Sequence, residues 1–402
     1  MTKKTLTNYR NCTTLVDSQW SKSIAMWRVI SGSAALYLFY PLADPSIQLH
    51  YQDNPCNKEL LAAMPSLQKG YFWPTPWLAN GHLQSLFGAT LGSIPGESIF
   101  GKAIPYRREL IALQDGGTLS IDWAPTHTPA ETQRILVLFH GVTGGSEQQY
   151  IRNCVVEAQK RGYRVGVLHM RGVNQTIMTS HKITGPGASD DVKEGLEWIH
   201  TRYPQAPIVA IGTSLGANIV LKYAAESQLN CLLKGIVVVS CPFDLLVCSL
   251  HLRKFLYKFS DHYIARALIR LLEANQDAVK PLESSHNLSI ADCLQVASLY
   301  EFDEKFTRRV LGYHSVEQFY RANSCSRMLH HIRVPVFALS ALDDPVITAE
   351  CIPVMAFANS PNLILALVRT GGHVCFYTGW GKPRRWYPVP ALEFLDAVLA
   401  TA

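Results

Sequence analysis

Ser214 lies at the centre of a Gly-x-Ser-x-Gly pentapeptide, between Gly212 and Gly216. An apolar run at 207–211 comes directly before it and has the length of a buried strand, and 217–225 has the composition of a helix. A serine on so sharp a strand-to-helix turn needs small neighbours, and the turn leaves its hydroxyl exposed above the end of the sheet. The pattern therefore predicts that Ser214 is a nucleophile.

A serine hydroxyl is a poor nucleophile at neutral pH and needs a base beside it. His373 follows two glycines just after the last apolar run, in a loop that can turn back over the sheet. The preceding apolar run is followed by Asp343 and Asp344, and either carboxylate could orient the imidazole. Acids in sheets of this type usually precede an x-apolar-apolar sequence, which favours Asp344, followed by 345–347. We expect Asp343 to cap the turn.

Acyl transfer passes through an oxyanion that needs preorganised N–H donors. We expect one donor to be the backbone N–H of Leu215, directly after the nucleophile. The other is assigned to Val142, in a glycine-rich loop that reads His-Gly-Val-Thr-Gly-Gly over 140–145. His140 is an alternative base, but its position at a strand end before a glycine favours a hydrogen-bonded anchor for the loop.

The elements that must position these residues alternate along the chain. Apolar runs of strand length lie at 134–139, 163–169, 207–211, 235–240, 335–340 and 363–368, and helical patterns lie at 147–160 and 190–203. Because the strands are apolar on both faces, we predict an α/β fold with a mostly parallel sheet and helices on both faces. The chain order Ser214, Asp344, His373 is that of α/β-hydrolases and differs from the trypsin-like and subtilisin-like orders.

The chain divides into three predicted segments. Residues 1–43 form a tail with a membrane anchor, and 44–104 form an arm rich in proline and aromatic residues without a sustained helical or strand period. Residues 105–400 form the α/β-hydrolase domain, which begins with a hairpin. Within it, about 241–331 is predicted to be a helical cap. Basic residues lie among apolar ones over 250–272, a helical pattern, and the helices of the cap are expected to pack on the body or to touch lipid.

Composition narrows the range of partners and cofactors. The 402 residues carry a formal net charge of +6, with scattered basic residues, which gives no case for nucleic acid but is compatible with attraction to anionic lipid. The ten cysteines include no Cys-x-x-Cys pair, so free thiols are expected rather than a disulfide framework. Zinc-ligand spacing is absent from the sequence, so neither a metal nor a cofactor is expected.

Residues 24–43 are largely apolar, and no charge occurs over 29–43. Basic residues precede this stretch, so the positive-inside rule would keep the N-terminus cytoplasmic. We predict a single-pass or interfacial anchor in the endoplasmic reticulum or another endomembrane, the alternative being a helix packed on the body. A true span would place the body in the lumen, where the sequons at Asn174 and Asn287 become available.

Several motifs together resemble those of the YheT-like branch of the α/β-hydrolase superfamily (the AB hydrolase 4 family), including the eukaryotic α/β-hydrolase domain-containing proteins one and three. They lie at 77–84, 140–146, 171–172, 212–218, 343–345 and 371–373. The resemblance runs from about Phe72 to the C-terminus. It implies a membrane-anchored serine hydrolase acting on acylglycerols or phospholipids, and some relatives are similar to ester-forming acyltransferases.

The leading hypothesis is therefore a carboxylic-ester hydrolase that acts on lipid esters through an acyl-enzyme. An acyltransferase that joins acyl-thioesters to alcohols is the second. No histidine is followed five positions later by aspartate, which argues against lysophospholipid acyl transfer. The third is a non-catalytic protein that binds a lipid or hormone in the same pocket, a role that would need none of the three site residues.

Overall fold

A computed structural model describes residues 44–90, 103–126 and 133–401. Nine strands form one sheet. They are β1 (Ile47–His50), β2 (Arg107–Ala112), β3 (Thr118–Trp123), β4 (Ile135–Phe139), β5 (Arg164–His169), β6 (Ile208–Thr213), β7 (Leu233–Val239), β8 (Val336–Ala341) and β9 (Leu363–Val368). Across the sheet their order is β1-β9-β8-β7-β6-β4-β5-β3-β2.

The centre of the sheet is parallel. The six neighbouring strands from β9 to β5 pair in parallel, while β1 at one edge, and β3 and β2 at the other, are antiparallel. Along β4, Ile135 and Val137 enter the core on one face, and Leu136 and Leu138 enter the core on the other. This burial on both faces explains the continuous apolar runs and confirms the predicted sheet.

Helices cover both faces of the sheet. The α-helices are α1 (Pro55–Ala62), α2 (Pro65–Gln68), α3 (Gly81–Thr90), α4 (Gln149–Lys160), α5 (Ser189–Arg202), α6 (Leu215–Ser227), α7 (Leu245–Leu252), α8 (Lys258–Ala274), α9 (Gln276–Val279), α10 (Leu282–His286), α11 (Ile290–Cys293), α12 (Leu299–Phe302), α13 (Arg308–Val310), α14 (Val316–Asn323), α15 (Val354–Ala358) and α16 (Pro388–Thr401). Helices α4 and α16 pack into one core, and α5 and α6 pack into the other.

The N-terminal arm is more regular than its sequence predicts. Strand β1 extends the sheet beyond β9, and α1 and α2 each begin at a proline, the residue suited to the first helical position. Leu60, Met64 and Phe72 are buried in the same core as α16. Because these elements are only four to ten residues long, their apolar periods are too short to be recognised in the sequence.

The stretch between β7 and β8 is helical and has a small core of its own. Residues of α8 to α12 form this core, together with the π-helical turn Asp303–Thr307. The stretch 250–272, predicted to be helical, contains the end of α7 at Leu252 and the start of α8 at Lys258. At the break, the ring of Tyr257 contacts those of His251 and His82, with centroids 3.7 Å and 5.7 Å away.

Among the helices of the three described ranges, none is both long enough and apolar enough to cross a bilayer. The predicted anchor at 24–43 lies outside those ranges.

Candidate active site

Ser214 occupies a sharp turn between β6 and α6. Its φ of 51° and ψ of −123° are unfavourable for a residue with a side chain, and such strain is common at functional sites. The turn is held by the Ser214 N–H, which donates to the Val239 carbonyl at 3.0 Å. A Cβ atom on Gly216 would lie 2.5 Å from the carbonyl oxygens of Phe139 and His140, so only glycine fits there. The elbow therefore requires the glycine of the motif.

The loops after β8 and β9 bring two further side chains to Ser214. The Nε2 atom of His373 lies 3.0 Å from the Ser214 hydroxyl oxygen, and its Nδ1 atom lies 2.9 Å from Oδ2 of Asp344. The carboxylate is buried, and its other oxygen accepts the N–H groups of Val346 and Ile347. This is the relative placement that a nucleophile, a base and an orienting acid require.

Asp343 has a different role from the one expected. Its carboxylate accepts the N–H groups of Gly371 and Gly372 at 2.9 and 3.1 Å, and that of Gly81 at 2.7 Å. The turn itself is capped by Asp344. Asp343 thus fastens the loop that carries His373 to the N-terminus of α3, and burial raises the pKa of its carboxyl group.

Helix α3 makes a second contact with the same loop. The Ser85 hydroxyl accepts the backbone N–H of His373 at 2.9 Å and donates to the Gly81 carbonyl at 2.7 Å. Sequence reasoning missed Ser85. The only sequence feature that points to this region is the motif at 77–84, which ends one residue before it.

The glycine-rich loop after β4 approaches Ser214 from the other side. A Cβ atom on Gly141 would lie 3.3 Å from Cβ of Ser214. Val142 and Leu215 line the same cavity as Ser214, and within the described residues neither of their N–H groups donates a hydrogen bond. The Tyr150 hydroxyl, also missed from the sequence, fixes the loop by accepting the Gly141 N–H at 3.0 Å.

His140 is not hydrogen-bonded to Ser214. The ring is fully buried, its Nδ1 atom lies 2.7 Å from the Gly141 carbonyl oxygen, and burial lowers its pKa to about 3. A neutral, enclosed imidazole fits the anchoring position proposed for it.

A buried polar network supports the glycine-rich loop from behind. The Asp122 carboxylate accepts hydrogen bonds from the Ser146 hydroxyl at 2.6 Å and from the Arg108 guanidinium at 2.7 and 2.8 Å, and it lies 2.9 Å from Nε2 of His169. Burial alone would raise the pKa of Asp122, but these partners outweigh burial and lower it. Asp122 lies in β3, so its pairing with the loop could not be read from local sequence.

An apolar cavity of about 170 Å³ opens beside the Ser214 hydroxyl. Its walls include Ile264, Leu268 and Leu271 of α8. One carboxyl group also lines it, that of Asp303, which accepts a hydrogen bond from the Tyr320 hydroxyl at 2.7 Å. Burial raises the pKa of Asp303 to about 6. The cavity is suited to a hydrocarbon chain rather than to a charged group.

The nine cysteines in the described ranges are all free. The same ranges contain no cluster of three or more His, Cys, Asp or Glu side chains placed to hold a metal ion.

Part of the sequence matches the sequence model of a known protein family. The sequence model described as "alpha/beta hydrolase fold" matches residues 134–379, which is more than half of the chain. The chain belongs to the α/β-hydrolase family. The match covers the strands from β4 to β9 and includes Ser214, Asp344 and His373.

Three curated relatives match over most of their length. Monoacylglycerol lipase ABHD2 of Mus musculus is 29% identical over 90% of this chain and 88% of its own. Phospholipase ABHD3 of Homo sapiens is 26% identical over 92% and 90%. Embryogenesis-associated protein EMB8 of Picea glauca is 27% identical over 85% and 75%.

Proposed function

We propose that this chain is a serine hydrolase that cleaves the carboxylic esters of lipids. The observation that carries the proposal is the continuous hydrogen-bonded line from Ser214 through His373 to Asp344 beside an apolar cavity. A protein that only binds a lipid would need the cavity but not the hydrogen bonds that join Ser214, His373 and Asp344. The names of the relatives, a monoacylglycerol lipase and a phospholipase, support the same class of substrate.

In the proposed reaction, Oγ of Ser214 attacks the acyl carbonyl carbon while Nε2 of His373 takes the hydroxyl proton. The carbonyl oxygen becomes an oxyanion, which the Leu215 and Val142 N–H groups stabilise. Collapse of this intermediate breaks the ester bond, and His373 gives its proton to the departing alkoxide. A water molecule, deprotonated by the same imidazole, then releases the fatty acid. Asp344 holds the ring and stabilises its charged form throughout.

We further propose that the acyl chain lies in the cavity and that the substrate is an acylglycerol or a phospholipid. The apolar wall formed by α8 supports the first point, and the relatives' names support the second. The motifs at 77–84 and 140–146 support a place in the YheT-like branch of the family. In this proposal, residues 105–400 form the catalytic domain, with its cap at about 241–331.

Replacement of Ser214 by alanine tests the assignment. The Ser214→Ala protein should lose ester turnover and labelling by a fluorophosphonate, and lipid extracts treated with active and Ser214→Ala protein should differ in the natural substrate. Ser284→Ala is a matched control, because that serine is exposed and outside the cavity. Persistent labelling of the Ser214→Ala protein would contradict the proposal. Added ethanol or glycerol would reveal ester formation if the acyl-enzyme prefers alcohol to water.

We also propose that residues 24–43 anchor the protein in a membrane. The support is the absence of charge over 29–43 and the basic residues before it. The protein should then remain with membranes after alkaline carbonate extraction, and complete release would overturn this part of the proposal.

A further inference from the structure

The junction between α7 and α8 exposes an unusual number of large apolar side chains. Phe255 is 84% exposed, Leu256 is 76% exposed and Phe259 is 70% exposed, all within five consecutive residues. Isolated exposed apolar residues are ordinary in soluble proteins, but a cluster of this kind marks an interaction surface. The other side chains of comparable exposure in the described chain include Ile177, Leu229 and Met355, which are far apart in sequence.

The residues around these three side chains are basic. Arg253, Lys254 and Lys258 are exposed next to them, and Arg266 and Arg270 continue along the same face of α8. The only acidic residue over 250–270 is Asp261, which is buried and accepts the Leu299 N–H. We call the exposed residues Arg253, Lys254, Phe255, Leu256, Lys258 and Phe259 the junction surface.

The chemistry of the junction surface fits an anionic phospholipid bilayer. Aromatic and aliphatic side chains enter the boundary between headgroups and acyl chains, and lysine and arginine pair with negative headgroups beside them. Arg253 already lies over the ring of Tyr300, at 4.5 Å from its centroid, but an apolar partner alone would give the exposed Lys254 and Lys258 no negative group to pair with. A nucleic acid would leave three adjacent apolar side chains without a role.

The junction surface lies on the outside of the same helix that walls the cavity. Ile264, Leu268 and Leu271 of α8 line the space next to Ser214, whereas Phe259 lies on the solvent side of that helix. Tyr257, at the junction, stacks on His82 of α3 and also contacts the ring of His251 of α7, and these contacts tie the junction to the body. A bilayer held at the junction would therefore lie against the wall of the cavity.

We propose that the junction surface docks the protein on anionic phospholipid bilayers, with Phe255, Leu256 and Phe259 inserted at the acyl boundary and Lys254 and Lys258 at the headgroups. Docking there brings the membrane lipid to the cavity beside Ser214. Only this last consequence rests on the proposed function, because the docking itself needs no ester turnover.

The test uses the full chain with phosphatidylcholine vesicles prepared with and without phosphatidylserine. Backbone amides of 253–263 should exchange hydrogen more slowly on the phosphatidylserine vesicles, and the protected segment is read out separately from any anchoring by residues 24–43. Substituting Phe255, Leu256 and Phe259 by serine should abolish this protection and weaken junction-dependent binding about tenfold or more. Lys254→Ala and Lys258→Ala should each weaken the phosphatidylserine-dependent part about fivefold.

The matched control replaces Ile177, Leu229 and Met355 by serine, which removes three apolar side chains that are 68%, 87% and 69% exposed. It should retain protection at the junction. The junction variant should hydrolyse an ester embedded in vesicles more slowly than the control while both hydrolyse a soluble short-chain ester at the wild-type rate.

Three results would overturn the proposal. The first is an absence of protection over 253–263 on the phosphatidylserine vesicles, and the second is an equal loss of binding in the junction and control variants. The third is a junction variant that binds vesicles normally but changes from dimer to monomer in sedimentation, which would assign the surface to a second copy of the chain. If docking is observed and no ester is hydrolysed, the proposed function fails and the docking surface stands.

Discussion

Replacing Asp344 by asparagine tests which of two adjacent carboxylates orients His373. One oxygen of Asp344 accepts the N–H groups of Val346 and Ile347, and the other lies 2.9 Å from Nδ1 of His373. Asparagine has one oxygen, and if that oxygen keeps the two turn hydrogen bonds, the amide NH₂ faces Nδ1. The ring must then carry its proton on Nε2, which would present a donor to Ser214 in place of the required acceptor. We expect kcat to fall by roughly 10⁴-fold, the order found when the acid of such a triad becomes an amide.

Asp343→Asn is the matched control, since it makes the same chemical change one residue away. Its oxygen can keep the N–H groups of Gly371 and Gly372, while the bond from Gly81 at 2.7 Å is lost. A single unsatisfied buried donor costs about 1–3 kcal/mol in the free energy of unfolding. Because the contact between His373 and Asp344 is untouched, kcat should stay within about tenfold of the wild-type value.

Both variants are assayed with a soluble short-chain ester, by the rate of fluorophosphonate labelling and by urea unfolding. Asp344→Asn should lose turnover and labelling, whereas Asp343→Asn should show its main loss in unfolding free energy. A larger fall in kcat for Asp343→Asn than for Asp344→Asn would refute the assignment of the acid.

Two further variants examine the elbow and the cavity. Gly216→Ala should fail to fold or lose fluorophosphonate labelling, because the new Cβ would lie 2.5 Å from two backbone oxygens. A stable variant that is still labelled would contradict the close approach of those oxygens to the elbow. Asp303 has its pKa raised by burial from 3.8 to about 6, so the folded protein binds this proton more tightly and the associated stability is lost as pH rises between those values. Urea unfolding should therefore show wild type losing about 3 kcal/mol relative to Asp303→Asn between about pH 4 and about pH 7, and a parallel pH dependence of the two proteins would exclude this linkage.

The parts of the fold that could be predicted depend on contacts between neighbours in sequence. The run predicted at 363–368 coincides with β9, Leu363–Val368, because a strand buried on both faces is apolar at every position. Ser214, Asp344 and His373 each follow such a strand, so the prediction of the sheet also put them at one edge. The distinction between Asp343 and Asp344 came from the apolar residues after the pair.

The hydrogen bonds that hold these residues and their loops in place could not be predicted, because their partners come from distant parts of the chain. The Ser85 hydroxyl accepts the N–H of His373, which lies 288 residues later in the sequence. Asp122, in β3, accepts a hydrogen bond from Ser146 in the loop after β4. Neither residue carries a local pattern that separates it from an ordinary polar residue. The break between α7 and α8 has a similar cause, since the stacking of Tyr257 on His82 joins two segments that no helical period connects.

Because His373 depends on contacts with α3, the part of the chain that positions the site residues is longer than the segment matched by the family model. The family match begins at residue 134, whereas Gly81 and Ser85 belong to the N-terminal arm. Without α3, the Asp343 carboxylate would lose one of its three donors and the His373 N–H would lose its acceptor. The loop that carries His373 also contains Val374, whose φ of 57° is unfavourable for a β-branched residue. A loop under such strain keeps one conformation only when its surroundings overdetermine it. The arm is thus part of what positions His373, the proposed base, although the three residues of the proposed reaction follow strands at the centre of the sheet.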